Sequence, residues 1–387
     1  MSRVLLVDTN RAIYPIYRWL TDKGHDVWVV GRNQNEPLAK ISTKFINLDY
    51  SDSNDLADLV ELKEIEFLVP GCTDVSYKVC AEVSSGRFPG IDTVAATHAI
   101  NNKAAFRKAA ISLGIPIPKN IDFEGALLCT EVIVKPVDAF SGHGVSIVKN
   151  PTRDSLQAAF AAACEASKTK TALIEEYVNG QLHSHSAFLK CGQVIADFVV
   201  CEDCSTNPFT VDTSRVIFNF PEPTLNSLRA DACKLFKGLG LVDGLIHTQF
   251  ILSGDHYKII EVTRRCPGDL YALLIEMSTG YPYSASYAAP FLGENSLPQT
   301  ADMLRRRIIR HTATSKDGDF LLGFSFNIPI DCRFFTPLAT AGDFIKPSPN
   351  GRAGLFFLEA ESDEEQDIIY RRLIDGSLYG FNYHSSC

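Results

Sequence analysis

The sequence predicts a doubly wound α/β lobe at the amino terminus, followed by α+β lobes. Three observations support this fold class. Short apolar runs alternate with helical stretches over the first part of the chain, a glycine-rich turn joins two strand-like runs near residue 140, and longer β segments follow Gly180. Strands that alternate with helices indicate a parallel sheet with right-handed crossovers, and runs of strands followed by helices indicate α+β lobes.

The amino-terminal lobe is assigned to residues 1–98. Its predicted strands are short β-branched or leucine-containing runs, which are typical of buried strands. They are Val4–Val7, Val27–Val30, Phe45–Leu48 and Phe67–Val69, with a helix over Asp55–Leu62 before the last strand. The first strand-to-helix turn, Asp8–Arg11, lacks the GxGxxG pattern. A standard dinucleotide site is therefore not expected in this lobe.

Two further lobes are assigned to residues 99–178, a small lid subdomain, and 179–387. The small lobe begins with a helix over Asn101–Leu113, which ends at Gly114 because glycine and the prolines beyond it terminate helices. A strand–loop–strand unit over Glu131–Lys149, a helix over Arg153–Ser167 and a strand over Ala172–Glu176 complete it. The last lobe is predicted from the strands Ser184–Lys190, Val194–Cys201, Thr210–Phe218, Gly244–Leu252 and Tyr257–Val262 and from the helices Leu225–Leu239 and Glu364–Ile374.

Composition and charge argue against several classes of protein. The formal net charge is −9, whereas a nucleic-acid surface needs clustered Lys and Arg. No apolar run reaches the roughly 18 residues that a membrane span needs, and the opening residues show no signal-peptide pattern. The 11 cysteines are scattered singly, a pattern that fits reduced thiols and a cytoplasmic location better than a disulfide framework.

The segment most indicative of chemistry is Val132–Pro136 followed by Phe140–Val145, which read VIVKP and FSGHGV. Lys135 ends one strand, and the glycine-rich turn leads into the next. Glycines allow backbone N–H groups to approach phosphate oxygens, and a lysine supplies positive charge beside them. The GxxxxGK[ST] pattern is absent and no helix follows directly, so the turn is not a Walker loop.

Three further features stand in a fixed order around this turn. They are Asn102–Phe106 with the GIPIP turn of residues 114–118, then Leu173–Val178 (LIEEYV), then His247–Phe250 with Ile260–Gly268. In this combination, the chain from about Val4 to Gly280 resembles the ATP-grasp superfamily. The resemblance implies an ATP-grasp fold of three lobes, in which a small lid covers an ATP site between two sheets.

The resemblance also implies the nucleotide contacts, position by position. Lys103 and Lys135 resemble the two lysines that contact the ATP phosphates. The mobile lid corresponds to Ser141, Gly142, His143, Gly144 and Val145, and the hinge that receives adenine corresponds to Glu175, Glu176, Tyr177 and Val178. Leu182 stands where a glutamate often binds ribose, so Gln181 or His183 is left to take that role.

The metal site and the catalytic strand follow from the same resemblance. Glu261 resembles the central magnesium carboxylate, and Arg265 resembles the arginine that stabilises the transferring phosphoryl group. Gln249 stands where most members have a second metal-binding glutamate, although the large subunit of carbamoyl-phosphate synthetase uses glutamine there. Thr263 replaces the usual asparagine. The implied cofactors are ATP and Mg²⁺, with Mn²⁺ as an alternative cation.

Several other positions suggest substrate contacts or plain structural roles. Asp74 follows a strand at the edge of the first sheet, where ligands bind in open α/β sheets. Asp269 follows the catalytic strand and would hold an ammonium group, and Arg215 on a β segment would bind a carboxylate; each also has a turn or packing interpretation. Arg305–Arg307 with Arg310 is interpreted as a solvated helix face, and His247 as a core histidine.

The expected function is an ATP-dependent ligase that converts a carboxylate into an acyl phosphate and joins it to an amine, with release of ADP and phosphate. Its implied partners are a small-molecule carboxylate and amine, with no nucleic acid and no membrane, and a homodimer is compatible with the family. Other ATP-grasp chemistry, through carboxyphosphate or phosphoryl transfer to another acceptor, stays open. So does a non-catalytic nucleotide-binding regulatory module, which the departures at Gln249 and Thr263 favour.

Overall fold

The computed structural model of the chain describes residues 1–139, 142–294 and 303–382. Within these ranges the protein has a four-stranded parallel sheet, a three-stranded antiparallel sheet, an eight-stranded antiparallel sheet and two two-stranded ribbons. The fold class expected from the sequence, α/β followed by α+β, is confirmed. No helix in the described ranges combines the length and the apolar character needed to cross a membrane.

The parallel sheet forms the amino-terminal lobe. Its elements are β1 (Arg3–Val7), α1 (Tyr14–Asp22), β2 (Asp26–Gly31), α2 (Pro37–Ile41), β3 (Phe45–Asn47), α3 (Ser53–Leu62), β4 (Phe67–Pro70) and α4 (Asp74–Ser84), and the strand order is β3-β2-β1-β4. Residues Val4–Val7 of β1 are fully buried. A strand in the middle of a parallel sheet is covered on both faces, which explains its continuous apolar sequence.

A small lobe follows, built on the three-stranded sheet. The elements that lead into it and form it are α5 (Val94–Asn101), α6 (Lys103–Ser112), α7 (Phe123–Ala126), β5 (Glu131–Pro136), β6 (Ser146–Lys149), α8 (Arg153–Ala166) and β7 (Ala172–Glu176), with the strand order β6-β5-β7. Helix α8 packs on one face of this sheet through Leu156 and Ala163, against Val132, Val134 and Ile174. The other face of the sheet is left to line a cavity.

The eight-stranded sheet forms the large lobe, in the order β12-β11-β8-β9-β10-β13-β18-β16. Its elements begin with β8 (Gln181–Lys190), β9 (Gln193–Asp203), β10 (Thr213–Val216), α9 (Glu222–Leu239), β11 (Gly244–Ser253), β12 (His256–Thr263), α10 (Tyr271–Thr279) and α11 (Tyr283–Ala288). They continue with β13 (Arg307–Ala313), β14 (Asp319–Phe320), β15 (Ser325–Phe326), β16 (Asp331–Pro337), β17 (Phe344–Ile345), β18 (Gly354–Ala360), α12 (Asp363–Ile374) and β19 (Tyr379–Gly380).

Both faces of the large sheet are covered. One face packs against the amino-terminal lobe, with α10 and α11 between them, in a single apolar cluster that contains Leu6, Phe188, Leu274 and Phe357. The opposite face packs on α6 and α9 at one end, and on α12 at the other. The large sheet is therefore the common support of the other lobes.

The interpretation of Arg305–Arg307 with Arg310 as a solvated helix face is wrong. Arg307 begins β13, and Arg310 lies in the middle of that strand with only 3% of its surface exposed. The neighbouring Ile308 and Ile309 are β-branched and fully buried on opposite faces of the sheet. Residues of this type favour a strand, but the arginines around them led the segment to be interpreted as a charged helix face.

A buried ion pair fastens the large sheet to the segment that leaves the amino-terminal lobe. The guanidinium of Arg264 donates to Asp92 over 2.7 Å, and also donates to the backbone carbonyls of Leu245 and Val242. Asp92 in turn accepts hydrogen bonds from the Tyr77 hydroxyl and the Val242 N–H. A fully buried charge is stable only with such partners.

Asp92→Ala should lower the free energy of unfolding by about 3–5 kcal/mol, because it leaves the Arg264 charge buried without its counter-ion. Urea unfolding in the absence of nucleotide measures the change. Asp22→Ala is the matched control, since Asp22 pairs with Arg18 on the surface of α1. Equal free energies of unfolding for the two variants would contradict the proposed contribution of the Asp92–Arg264 ion pair to stability.

Candidate active site

A cavity of about 720 Å³ lies between the three-stranded and the eight-stranded sheets. The small lobe contributes Lys135 and Val145 to its wall, the large lobe contributes Gln249 and Glu261, and the amino-terminal lobe contributes Thr73. Its size is that of a pocket for a cofactor-sized ligand. Two distant stretches of the chain, around Lys135 and around Glu261, therefore share one cleft.

Lys135 is held by a buried network of three charged groups. Its ammonium lies 2.5 Å from the Glu175 carboxylate, which also accepts from the Nε–H of Arg107 over 2.6 Å. Burial and the charge of Arg107 lower the pKa of Lys135 to about 8. Burial tends to raise the pKa of Glu175, but Lys135 and Arg107 together bring it below its ordinary value. The pair is thus ionised at neutral pH, with the ammonium at the cavity wall.

Lys103 reaches the same cleft from the start of α6. Its ammonium donates to the Ala139 carbonyl over 2.8 Å and lies 3.8 Å from the Glu261 carboxylate. Asn102 caps this helix, and the backbone N–H of Lys103 donates to the Val137 carbonyl in the small lobe. The structure therefore brings together both lysines and the acidic residue that the sequence singled out.

The glycine-rich loop contributes Gly142 and Val145 to the cavity wall. Gly142 and Gly144 have positive φ angles of 71° and 75°, and a Cβ at either position would lie 2.4 Å from a neighbouring side-chain carbon. Glycine is required at both positions for these two reasons. His143 is exposed, and Ser141 lies outside the described residues.

The expected hinge is divided between two roles. Tyr177 and Val178 line the cavity, together with Glu176. The carboxylate of Glu176 accepts from Lys258 and from the backbone N–H of Lys119, each over 3.0 Å. Glu175, which the resemblance placed in the hinge, instead has its side chain committed to Lys135 and Arg107.

His183 does not face the cleft. Its ring stacks on Phe250 and contacts Phe220 edge-on, on the opposite side of the large sheet. Of the two residues considered for the ribose contact, Gln181 lines the cavity and His183 does not. Residues two apart normally share a face of a strand, but Gln181 is the first residue of β8 and its side-chain amide donates to the Glu202 carbonyl on β9.

The metal candidates lie on neighbouring antiparallel strands. Gln249 of β11 and Glu261 of β12 are direct cross-strand partners, and Thr263 lies two residues further along the same face. The amide nitrogen of Gln249 donates over 2.7 Å to the carboxylate of Glu202, a cavity-lining residue of β9. These carboxylate, amide and hydroxyl oxygens are the hard donors that Mg²⁺ prefers. The described residues contain no cluster of three His, Cys, Asp or Glu side chains able to hold a metal.

Arg265 lines the cavity and is fixed by Asp74. Its Nε–H donates to the Asp74 carboxylate over 3.0 Å, and the Thr263 hydroxyl donates to the same oxygen over 3.1 Å. Asp74 thus orients two residues of the catalytic strand, and its predicted contact with substrate is replaced by this role. The Nδ1 atom of the nearby His247 is hydrogen-bonded to the Ser186 hydroxyl over 2.8 Å. Burial together with the charge of Arg265 lowers the pKa of His247 to about 3, so the ring is neutral.

Arg215, which was predicted to bind a substrate carboxylate, does not line the cavity. Arg215 points to the opposite face of β10, where it pairs with Asp367 and lies over the Tyr370 ring. Arg310 lines the cavity instead, and donates to the Ser214 hydroxyl and the Asp269 carbonyl, each over 3.0 Å. Its Nε–H has no hydrogen-bond partner among the described residues.

Asp269 faces the cavity as expected, but between two arginines. Its carboxylate accepts from Arg352 over 2.8 Å and lies 3.9 Å from Arg310. Four contributors to the site were missed from the sequence: Arg107, Glu202, Arg310 and Arg352. For Arg107 the sequence did offer a signal, since it follows Lys103 by one helical turn on α6 and residues at that spacing share a face. Glu202 and Arg310 depend on strand register, and Arg352 lies in the loop before β18.

Comparison with known proteins agrees with this geometry. Residues 126–292 match the family model described as carbamoyl-phosphate synthase L chain, ATP binding domain. A formate-dependent phosphoribosylglycinamide formyltransferase of Haemophilus ducreyi is 29% identical over 158 residues, which are 38% of this chain and 40% of that protein. The carbamoyl phosphate synthase large chain of Streptomyces griseus is 25% identical over 73% of this chain and 28% of its own length.

A solved structure extends the likeness over the whole chain. The L-amino acid ligase of Bacillus licheniformis superposes with a TM-score of 0.80 at 16% identity, covering 100% of this chain and 99% of that one. The chain therefore shares the fold of that ligase over its whole length, as the resemblance of its sequence to the ATP-grasp superfamily predicts. Within this fold, residues 126–292 are the part that is similar in sequence to the ATP-binding domain of the carbamoyl-phosphate synthase L chain. The chain spans about 40% of the length of the formyltransferases that it matches.

Nucleotide affinity should fall as the pH rises through about 8, because Lys135 loses its charge there and phosphate oxygens bind the ammonium form. Calorimetric titration with ATP between pH 6.5 and 9.5 measures this dependence. In Lys135→Met the affinity should be low throughout and the step near pH 8 should be missing. A step that persists in the variant would assign it to another group.

Proposed function

We propose that the chain is an ATP-dependent carboxylate–amine ligase that forms an acyl phosphate and releases ADP and phosphate. One observation carries this proposal: Lys135, Glu261, Arg265 and Arg310 line a single cavity between two sheets. Phosphoryl transfer needs positioning and charge neutralisation more than covalent chemistry by the protein. Cationic side chains and a metal-binding carboxylate in one cleft supply these requirements.

The small lobe and the hinge would bind the nucleotide. The ammonium groups of Lys103 and Lys135 would contact the phosphates under the loop of residues 141–145. Adenine would lie beside Tyr177 and Val178. Glu175 and Arg107 would act through Lys135, because the buried Glu175 carboxylate pairs with both Lys135 and Arg107.

Glu261, Gln249 and Thr263 would hold Mg²⁺, or Mn²⁺ in its place. The cation would neutralise phosphate charge as the phosphoryl group is transferred. Because Gln249 carries no charge, Glu261 is the main electrostatic anchor of this site.

The large lobe would bind the reacting carboxylate. Arg265, oriented by Asp74, would stabilise the transferred phosphoryl group and then the tetrahedral adduct, because a planar guanidinium binds two oxygens at once. Arg310 lines the cavity, and its planar guanidinium suits a substrate carboxylate. Asp269 would face the incoming ammonium group.

The substrate class, the location, the oligomeric state and the lobe boundaries are proposed from similarity to known proteins and from the sequence. Amino acids are the first substrates to test, given the fold shared with an L-amino acid ligase. A cytoplasmic location, a homodimer and the lobe boundaries at 98 and 178 stay predictions. Neither nucleic acid nor a membrane is proposed as a partner.

The proposal is tested by incubating the protein with ATP, Mg²⁺ and pooled carboxylates and amines, and then identifying the new mass and the nucleotide product. ADP with a new amide is expected. AMP as the sole nucleotide product would contradict the acyl-phosphate route, and bicarbonate-dependent release of ADP without an amide would indicate carboxyphosphate chemistry. Absence of any substrate-dependent turnover would support a regulatory nucleotide-binding module.

Arg310→Met should reduce ligation at least about 100-fold, because it removes a buried cation from the carboxylate site, a loss of about 2.7 kcal/mol of transition-state stabilisation. Its affinity for ATP should stay within about twofold of the wild type. Arg215→Met, on the opposite face of the adjacent strand, is the matched control and should retain activity. Comparable losses in both variants would mean that the effect comes from the sheet and not from the cavity.

A further inference from the structure

The side-chain amide of Gln249 is held by a buried carboxylate. Its nitrogen donates over 2.7 Å to Oε2 of Glu202, and Glu202 is only 4% exposed. An ionised carboxylate only accepts hydrogen bonds, and an amide carries its donors and its acceptor on different atoms. The contact with Glu202 therefore fixes the nitrogen of the Gln249 amide toward the Glu202 carboxylate.

Strand order determines the direction in which the amide oxygen faces. Glu202 lies on β9, on one side of Gln249, whereas Glu261 lies on β12, on the other side. Because the amide nitrogen and oxygen diverge from one carbon, the atom that faces Glu202 is the nitrogen, and the oxygen is the atom left for a ligand beside Glu261. Without this contact, a terminal amide rotates between its two orientations, and one of them presents N–H groups to a cation.

Glu202 is kept in place by its own surroundings. Burial raises the pKa of Glu202, while hydrogen bonds from Ser184 and Gln249 and the charge of Arg310 oppose that rise. Ser184 is itself the cross-strand partner of Gln249 on β8, and its hydroxyl is bonded to that of Tyr271. The carboxylate is thus part of a packed polar network and is not a mobile surface acid.

We propose that Glu202 is a positioning residue for the metal site: it orients the Gln249 amide so that the oxygen is presented as the second protein ligand beside Glu261. The inference rests on the proposed nucleotide and metal function. It explains how the uncharged Gln249 serves where most ATP-grasp members have a glutamate, because the negative charge is carried by Glu202, which is hydrogen-bonded to Gln249. Residues that orient metal ligands in this way typically affect metal affinity by about 10–100-fold.

The experiment measures binding and needs no knowledge of the substrates. The β,γ-methylene analogue of ATP is titrated into the protein at fixed Mg²⁺ concentrations, and the concentration that gives half-maximal enhancement of binding is determined. Glu202→Gln should raise that concentration about tenfold or more, because an amide partner no longer fixes the orientation of Gln249. Its affinity for the analogue without Mg²⁺ should stay within about twofold of the wild type.

A reciprocal exchange separates orientation from a general structural effect. The double variant Glu202→Gln with Gln249→Glu keeps the hydrogen bond and the local charge, but places the carboxylate on the ligand position. It should need no more Mg²⁺ than the wild type, and it keeps the test open if the single variant does not fold. Glu276→Gln is the control, because Glu276 is a mostly buried carboxylate on α10 that does not line the cavity; its Mg²⁺ requirement should be unchanged.

Three outcomes would overturn the inference. An unchanged Mg²⁺ requirement in Glu202→Gln would show that Glu202 does not act on the metal site. Failure of the exchanged pair to recover Mg²⁺ affinity would show that the carboxylate acts through the fold. If the wild type itself shows no Mg²⁺-dependent binding of the analogue, the proposed function fails first, whereas the other two outcomes leave that function intact.

Discussion

The antiparallel register of the large sheet determines what faces the cavity. Glu261, Gln249 and Ser184 are successive cross-strand partners on β12, β11 and β8, and Glu202, Ser214 and Arg310 are successive partners on β9, β10 and β13. Ser184 also pairs with Val200, which lies two residues before Glu202 on β9. Residues two apart point to the same side of a strand, so the two rows share a face of the sheet. A shift of one residue in any of these strands would turn its member of the row away from the cleft.

This register also explains why the polar row is stable. The apolar residues that continue the same face, such as Val200 and Phe357, pack against the amino-terminal lobe. The polar side chains therefore occupy the end of a well-packed surface, where the cluster between sheet and lobe gives way to the cavity. Packing at native density limits the freedom of side chains at its edge, and such rigidity keeps a site arranged before its ligand arrives.

Buried charges connect the lobes through this region. Arg264 meets Asp92 and Arg265 meets Asp74, and both pairs join the large lobe to the amino-terminal lobe. Arg107 pairs with Glu175 inside the small lobe and donates to the Ile260 carbonyl of the large lobe over 3.0 Å. Each pair joins parts of the chain that are far apart in sequence. A buried pair contributes little net stability compared with an apolar contact, but breaking one is costly. These pairs therefore specify how the lobes meet, and that arrangement places Lys135 opposite Glu261.

The sequence by itself determined the fold class, most of the strands and helices, and those residues whose place at the cavity follows from their neighbours in the chain. Lys135 before a glycine-rich turn and Glu261 at the end of an apolar strand are of this kind, because local pattern sets both the element and the position within it. Only the tertiary structure decided that Arg310 lines the cavity while Arg215 and His183 do not, and which partners Glu202, Glu175 and Asp74 contact. Each of these depends on which strand lies beside which, and in what register, and that pairing joins residues whose separation in sequence carries no local signal.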